Sequence, residues 1–597
     1  LQGNVLNQAV LVFNRADNKQ FDGQIDGNGS IVKMGAGSLN LTGSGGITGR
    51  TEVRSGKLGF NGLFYATDVQ VNNGAWVYGV GTVRSLNLAP GGVIAPGNSI
   101  GTFNVLNNIV FNKGSVYAVE VNTAGLSDMI KVGGIADIKG GHVLVNAESG
   151  EYSPKSQYTV LSAGGGVSGQ FDSIYANFAF LDPNLSYDIS NVSLALVRND
   201  VKPIDLCQSV NEKAICAELL PVVPEPEVAV TPIVPVVPVV EPAVAVTPVS
   251  LDSGVKVVVG EKNDLYEKEQ AAVIGMSQSE FTRFATLLPG DIHPTVKTVL
   301  AQESSYVRDS ISKRLYETDK GLSGSGAWGH AFGSEGRQGG AGSIPALSRN
   351  TQGFILGSDV WLEDADLSLG VFGGYRKTSM SQGVSSADIG TYNLGVYGAK
   401  RYEALSVRLG ASFSWHDIET RRKIYYKANT STPDANYHGS TAQLFSELAY
   451  DLRFDRFNVE PFVGLSYTRL EVSGFSEEKD LFSLSGKREV KNIYAGTLGA
   501  RVNHSTQYNE GLKVSFQAGA GLKHAFSDIS SNTNMALNSH GNDFRISGLP
   551  LKKNIAQLNA QVAVQTKGGF TVGLDYMAGG ASGMRDQSLS AFGSWEF

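Results

Sequence analysis

Leu405–Trp415 reads LSVRLGASFSW, and its alternation is the key to the C-terminal half of this 597-residue chain. Leu405, Val407, Leu409, Ala411, Phe413 and Trp415 fall on one face of an extended segment, and Ser406, Arg408, Gly410, Ser412 and Ser414 on the other. A strand places successive side chains on opposite faces, so this is a two-faced strand of unusual length. LKVSFQAGAGLK (512–523) and GFTVGLDYMAG (569–579) repeat the pattern. About a dozen such segments, roughly 9 to 14 residues long, run from about Gly324 to Phe597, joined alternately by short turns and longer polar loops. An even number of long alternating strands is the pattern of a transmembrane β-barrel, whose apolar face meets lipid and whose polar face lines the lumen. Closure also removes the unpaired edges that an open sheet would expose to lipid. Trp328, Trp361, Tyr375, Trp415, Tyr467, Tyr576 and Trp595 stand near segment ends, where interfacial girdles form.

The chain ends QSLSAFGSWEF, with Leu589, Ala591, Gly593, Trp595 and Phe597 on one face. We read Leu589, Trp595 and Phe597 as a barrel-assembly signal, by likeness to outer-membrane barrels that close on an aromatic residue.

Upstream of the barrel, DIHPTVKTVLAQESSYVRDSISKRLYETDKG predicts a helix of about 25 residues, roughly 37 Å long. Pro294 sits in its first turn, where a missing N–H costs nothing, and Gly321 ends it. Lys297, Gln302, Glu303, Arg308, Asp309, Lys313 and Arg314 forbid lipid contact, so the helix belongs in a wet channel. A preceding helix is predicted over NDLYEKEQAAVIGMSQSEFTRFATLL. Val228–Val246 is apolar over a membrane-spanning length, but Pro232, Pro235, Pro238 and Pro242 make it an extended spacer.

The first 200 residues are short β segments punctuated by glycine, of which the chain has 72. Their pattern returns about every twenty residues, which predicts a β-solenoid, a right-handed parallel β-helix. FDGQIDGNGS resembles part of a calcium loop but lacks its alternating carboxylates and terminal glutamate, so it is read as a solenoid turn. APGNSIG contains G-x-S-x-G around Ser99. The nucleophile elbow needs a helix after the serine and a histidine base. TFNVLNNIVF reads as strand, and His142 is the sole histidine among the first 200 residues. Ser99 is therefore read as structural and no catalytic residue is assigned.

Charged residues make up 18% of the chain and the net charge is −7, which gives no basis for nucleic-acid binding. The two cysteines, Cys207 and Cys216, are close enough to bridge in an oxidising compartment.

GGVIAPGNSIGTFNV with FNKGSVYAVEVNTAGLSDMIKVGG resembles the passenger-associated repeat of classical autotransporters, the type V secretion proteins of Gram-negative bacteria. LLPGDIHPTVKTVLAQESSYVRDSISKRL resembles their pre-barrel helix, and WGHAFGSEG their first barrel strand. The resemblance implies an all-β chain with these parts: a C-terminal passenger region at 1–200, a Pro/Val-rich connector at 201–260, a helical linker at 261–320 holding Pro294, Arg308, Asp309 and Arg314 in the lumen, and a barrel at 321–597. It implies a passenger displayed or secreted from the outer membrane, an adhesin or effector rather than an enzyme. The alternative kept beside it is an esterase or protease whose catalytic domain lies upstream of Leu1. Expected partners are outer-membrane lipid, the barrel-assembly machinery and a host surface or matrix ligand; no cofactor or metal is expected, and the barrel is expected to be monomeric. Relatives that cut themselves inside the barrel use an asparagine in the lumen helix; Pro294–Gly321 has none, so no self-cleavage is expected there.

Overall fold

The computed structural model describes residues 2–148, 150, 152, 156–220, 264–319, 325–478, 480–509 and 511–596. The Pro/Val spacer, Gly321 and Phe597 lie outside the described residues.

The N-terminal part is a parallel β-helix. One sheet runs from the strand Val10–Asn14 through Ser30–Met34, Thr51–Val53 and Leu63–Val71 to Gln157–Ala163; a second runs from Lys19–Phe21 to Ser173–Ala176. Apolar side chains fill the space between them: Ile31, Leu58, Phe60, Val77, Phe103, Tyr117 and Ile130 are all fully buried. The rungs lengthen along the chain. Gly46 N–H reaches Asp26 twenty residues back, whereas Gly141 N–H reaches Asp172 thirty-one residues ahead. The antiparallel hairpin Leu181–Tyr187/Asn191–Arg198 closes the solenoid, pairing on Gln157–Ala163. An antiparallel pair there ends the parallel stacking that would otherwise leave an open edge.

Twelve long strands form the closed antiparallel barrel, from Gly326–Gln338 to Met584–Glu596. The first and last strands pair along their whole length, Gly326 opposite Glu596 and Gln338 opposite Met584, and Asp434–Tyr450 pairs Asn458–Val472. The barrel is apolar outside and polar inside. Leu409, Phe413, Trp415, Leu444, Leu498, Phe516 and Leu574 are exposed, while Arg376, Thr391, Arg408, His416 and Thr441 are buried. Seven of the twelve strands exceed the expected length, and the set runs from 12 residues at Phe570–Ala581 to 21 at Glu489–Asn509. Loops between the barrel strands form a cap. That cap contains a four-stranded sheet (Phe475–Ser476, Leu484–Gly486, Asn532–Leu537, Asp543–Ser547) and the hairpin Ile424–Tyr426/Asn429–Ser431. It was not anticipated, because its strands are too short to show a period.

Five helices lie between solenoid and barrel among the described residues: α1 (Pro203–Leu206), α2 (Val210–Cys216), α3 (Asp264–Ile274), α4 (Gln278–Ala285) and α5 (Ile292–Asp319). The predicted connector therefore begins with two helices, α1 and α2, braced by a Cys207–Cys216 disulfide. The single helix expected over 263–288 is broken into α3 and α4. Ser277 caps α4 with a reciprocal box, its side chain accepting from Glu280 N–H while Glu280 accepts from Ser277 N–H. Such a box satisfies free donors at a helix start and so fixes a new N-terminus. No helix among the described residues is long and apolar enough to cross a membrane.

Candidate export channel

α5 lies inside the barrel, its side chains meeting the polar lumen wall. Its first turn is gripped from the cap: Ser531 donates to the Pro294 carbonyl (2.5 Å), Leu549 N–H to Thr295 Oγ1 (3.1 Å) and Thr298 to the Leu549 carbonyl (2.5 Å). Gly548 permits that approach, since a Cβ there would come within 2.5 Å of Thr295 N. Pro294 is the third helical residue, so its missing N–H lies among those a helix start leaves unpaired.

Further along, Glu303 is fully buried and accepts from Thr351 (2.8 Å), Thr378 (2.7 Å) and Arg376 Nε (3.1 Å). Gln302 Nε2 donates to Gln338 Oε1 at 3.0 Å. Tyr306 meets Ser334 at 2.6 Å. Arg308 and Asp309 bond each other (2.8 Å) rather than the wall, and with Lys313, His330, Arg501 and Asp575 they border a cavity of about 130 Å³. Arg314 makes a two-pronged ion pair with Asp359, both bonds 2.7 Å. Val307, Ile311 and Leu315 pack on a small apolar patch of the wall made by Trp328, Ile355, Phe372, Tyr397 and Phe445. Below it Tyr316 lies beside Arg408 and Arg501, which share Glu447 and Glu460. Buried charges are costly unless paired, and here each helix charge named has its partner on the wall, on the helix, or both.

Of the expected site residues, Pro294 and Arg314 contact barrel or cap directly, and Arg308 and Asp309 line the residual cavity. Leu589 and Trp595 are 61% and 58% exposed on the outer face, with Ser590 and Ser594 turned inward. Trp328 departs from the expected girdle. It faces the lumen, 7% exposed, donating to Tyr397 Oη at 2.6 Å. Alternation gives two faces but not which one is outside, and a phase judged from one aromatic residue can be inverted.

In the solenoid, Ser99 is an exposed turn residue between the strands Val93–Pro96 and Thr102–Val105. Gly97 takes a φ of 87°, the left-handed region, to make the corner. The turn is fastened by Asp128, 1% exposed, which accepts from Gly101 N–H (2.9 Å) and Glu120 N–H (2.8 Å). Burial pushes the Asp128 carboxyl up to about 7. His142 bonds Ser173 at 2.7 Å, not Ser99. Asp128 was missed because no local motif links it to a turn 27 residues earlier.

A closed barrel, apolar outside and filled by a helix of its own chain, defines an outer-membrane protein that carries its preceding segment to the far side. Residues 327–577, most of the barrel, match the family model described as autotransporter beta-domain. The barrel lies in the outer membrane, with the passenger exported to the surface. The whole chain is also similar to two proteins of Serratia marcescens, each named extracellular serine protease. One is 30% identical over 625 residues and the other 28% over 634, each alignment covering 100% of this chain and 59% of the relative. The chain thus spans about 59% of the length of those curated relatives. Among solved structures it is similar to the translocator domain of autotransporter NalP from Neisseria meningitidis, at 15% identity, with 50% of this chain and 99% of that chain covered and a TM-score of 0.38. It is similar also to the beta domain of the Bordetella autotransporter BrkA, at 15% identity, 46% and 100% coverage and a TM-score of 0.34.

The protease relatives correct one expectation. The sequence alone led to a passenger that is not an enzyme, whereas both full-chain relatives are named as proteases. The reason for the miss is physical. Ser99 and His142 were tested as a site, but the relatives extend well beyond the span of this chain, and their catalytic groups need not fall within it.

Proposed function

We propose that this chain is the export and anchoring portion of an extracellular serine protease. Residues 1–200 serve as the stem of the passenger, 201–260 as connector, 261–320 as the linker that leaves α5 in the lumen, and 321–597 as the translocator. The catalytic serine is assigned to the part of the relatives' length that this chain does not span. The observation that carries the reading is the match of both proteases along the entire chain, solenoid included, rather than along the barrel alone. The adhesin or effector reading draws no support from those two relatives.

The test is active-site labelling with a fluorophosphonate probe. The complete reading frame, expressed in a Gram-negative host, is expected to give a labelled polypeptide at the surface or in the medium, while residues 1–597 alone stay unlabelled. A complete reading frame that exports its passenger with no labelled species refutes the proposal.

A further inference from the structure

The solenoid and the barrel are joined through residues 221–263, yet contacts on either side of that segment join them independently. Among the described residues, those up to 220 meet those from 264 onward where α1 packs on α4 and where Glu218 accepts from Asn542 Nδ2 at 2.8 Å, and at four further places. Phe180, fully buried at the end of the solenoid, stacks edge-on against Phe281 of α4 with ring centres 4.9 Å apart. Ala179 N–H donates to the Met276 carbonyl at 2.8 Å, extending that contact along the backbone. Lys427, on the cap hairpin, donates to the Gly150 carbonyl. The fourth is α2. Asn211 Nδ2 donates to Asp291 Oδ1 and to the Ser547 carbonyl, both 2.7 Å, and Asn211 Oδ1 accepts from Ser547 N–H at 3.0 Å.

These contacts form one surface. α4 is a wedge, with Phe281 against the solenoid and Phe284 against Phe482 of the cap, ring centres 4.8 Å apart. α2 lies on the cap strand Asp543–Ser547, its Ile215 and Cys216 fully buried. A single buried apolar cluster runs without a gap from the solenoid through α2 and α4 to the cap. Asn211, 4% exposed, has its amide satisfied from the far side of the join, so separation would strand buried polar groups as well as expose aromatic rings. An interface with aromatic anchors in its centre and matched polar groups around them has the anatomy of a stable complex.

We infer that residues 1–220 remain docked on residues 264–597 when the chain between them is cut. The cap is a receptor surface whose partner is the base of the chain's own passenger. A cut in the Pro/Val spacer nicks the protein without shedding it. This holds whatever activity the passenger carries, so its failure would leave the protease proposal untouched.

The test inserts the recognition sequence of a site-specific protease within 221–263 of the full chain. Outer membranes carrying it are cut with that protease, washed and sedimented. The 1–220 fragment is expected in the pellet, at about tenfold or more over the supernatant. The same cut in Asn211→Asp, which sets a second carboxylate against Asp291, and in Phe281→Ala should lower the bound-to-free ratio by about tenfold. Both positions lie outside the twelve strands, and heat-modifiable mobility of the barrel fragment checks that each variant is folded. Prompt release of the unmodified fragment overturns the inference, with or without the variants. Full retention in both folded variants overturns it as well, because the contacts named would then not be the ones that hold.

Discussion

Arg314 of the lumen helix and Asp359 of the second barrel strand are locked by two parallel 2.7 Å hydrogen bonds at a depth where both are 3% exposed or less. Tyr397 adds a third bond to Asp359, also 2.7 Å, and itself accepts from Trp328. Removing one partner of a buried pair leaves the other uncompensated, a loss of about 3–5 kcal/mol. Arg314→Ala should therefore lower the temperature at which the barrel loses its heat-modifiable gel mobility. Arg314→Met with Asp359→Leu should recover much of the loss. Equal stability of the single variant and the unmodified protein would show that α5 is not held by this pair.

The cap should respond to pH through Glu269 on α3. Burial pushes its carboxyl up to about 7, against hydrogen bonds from Ser539 and from Phe482 N–H (2.6 Å) that favour the ionised form. A group with a raised folded-state pKa contributes stability below its ordinary value near 4.5, and that contribution is lost as pH rises through about 7. Hydrogen exchange of α3 amides, corrected for the intrinsic pH dependence, should report weaker protection at pH 8 than at pH 5. Glu269→Gln should flatten the difference; an unchanged slope in that variant rules the group out.

Ser99→Ala should leave solenoid stability within about 0.5 kcal/mol of the original, the usual range for a surface substitution. Asp128→Ala should cost about 1–3 kcal/mol, because two part-buried N–H groups lose the buried carboxyl that accepts from both. Urea titration of the isolated outer-membrane protein, followed by protease resistance of residues 1–200, measures both. A larger effect at Ser99 than at Asp128 would contradict the assignment of Ser99 as a turn residue.

Leu589→Arg places a charge on the lipid face of the last strand, worth about 2–4 kcal/mol near the bilayer midplane and less toward its edges. Folded barrel in outer-membrane fractions should fall accordingly. Deleting Trp595, Glu596 and Phe597 should reduce it further by removing the end of the strand that closes on Gly326–Gln338. Normal folded yield after the deletion would show that those residues are dispensable for assembly.

The barrel was legible because lipid on one side and water on the other force a strict period of two across each strand. Leu405–Trp415 carries that signal undisturbed by any neighbour. The lumen helix was legible by elimination, since seven charged or polar residues on an apolar-length helix leave few places for it. What escaped was pairing across long separations. Arg408 meets Glu460, and Glu303 meets Arg376 and Thr378, through barrel closure, which no local pattern encodes. The α3–α4 break was written in Ser277-x-x-Glu280 but outweighed by the apolar spacing around it. α1 and α2 were too short to show a helical period at all.

The path of α5 fixes how often each barrel can work. α5 runs into the lumen from the cap and is followed in sequence by the wall strand Gly326–Gln338, so the seal and the cargo's tether are one continuous polypeptide. Each barrel is thus a single-use device. Export is stoichiometric rather than catalytic, and the number of passengers a cell can send out is capped by the number of barrels it synthesises and finds membrane area to house.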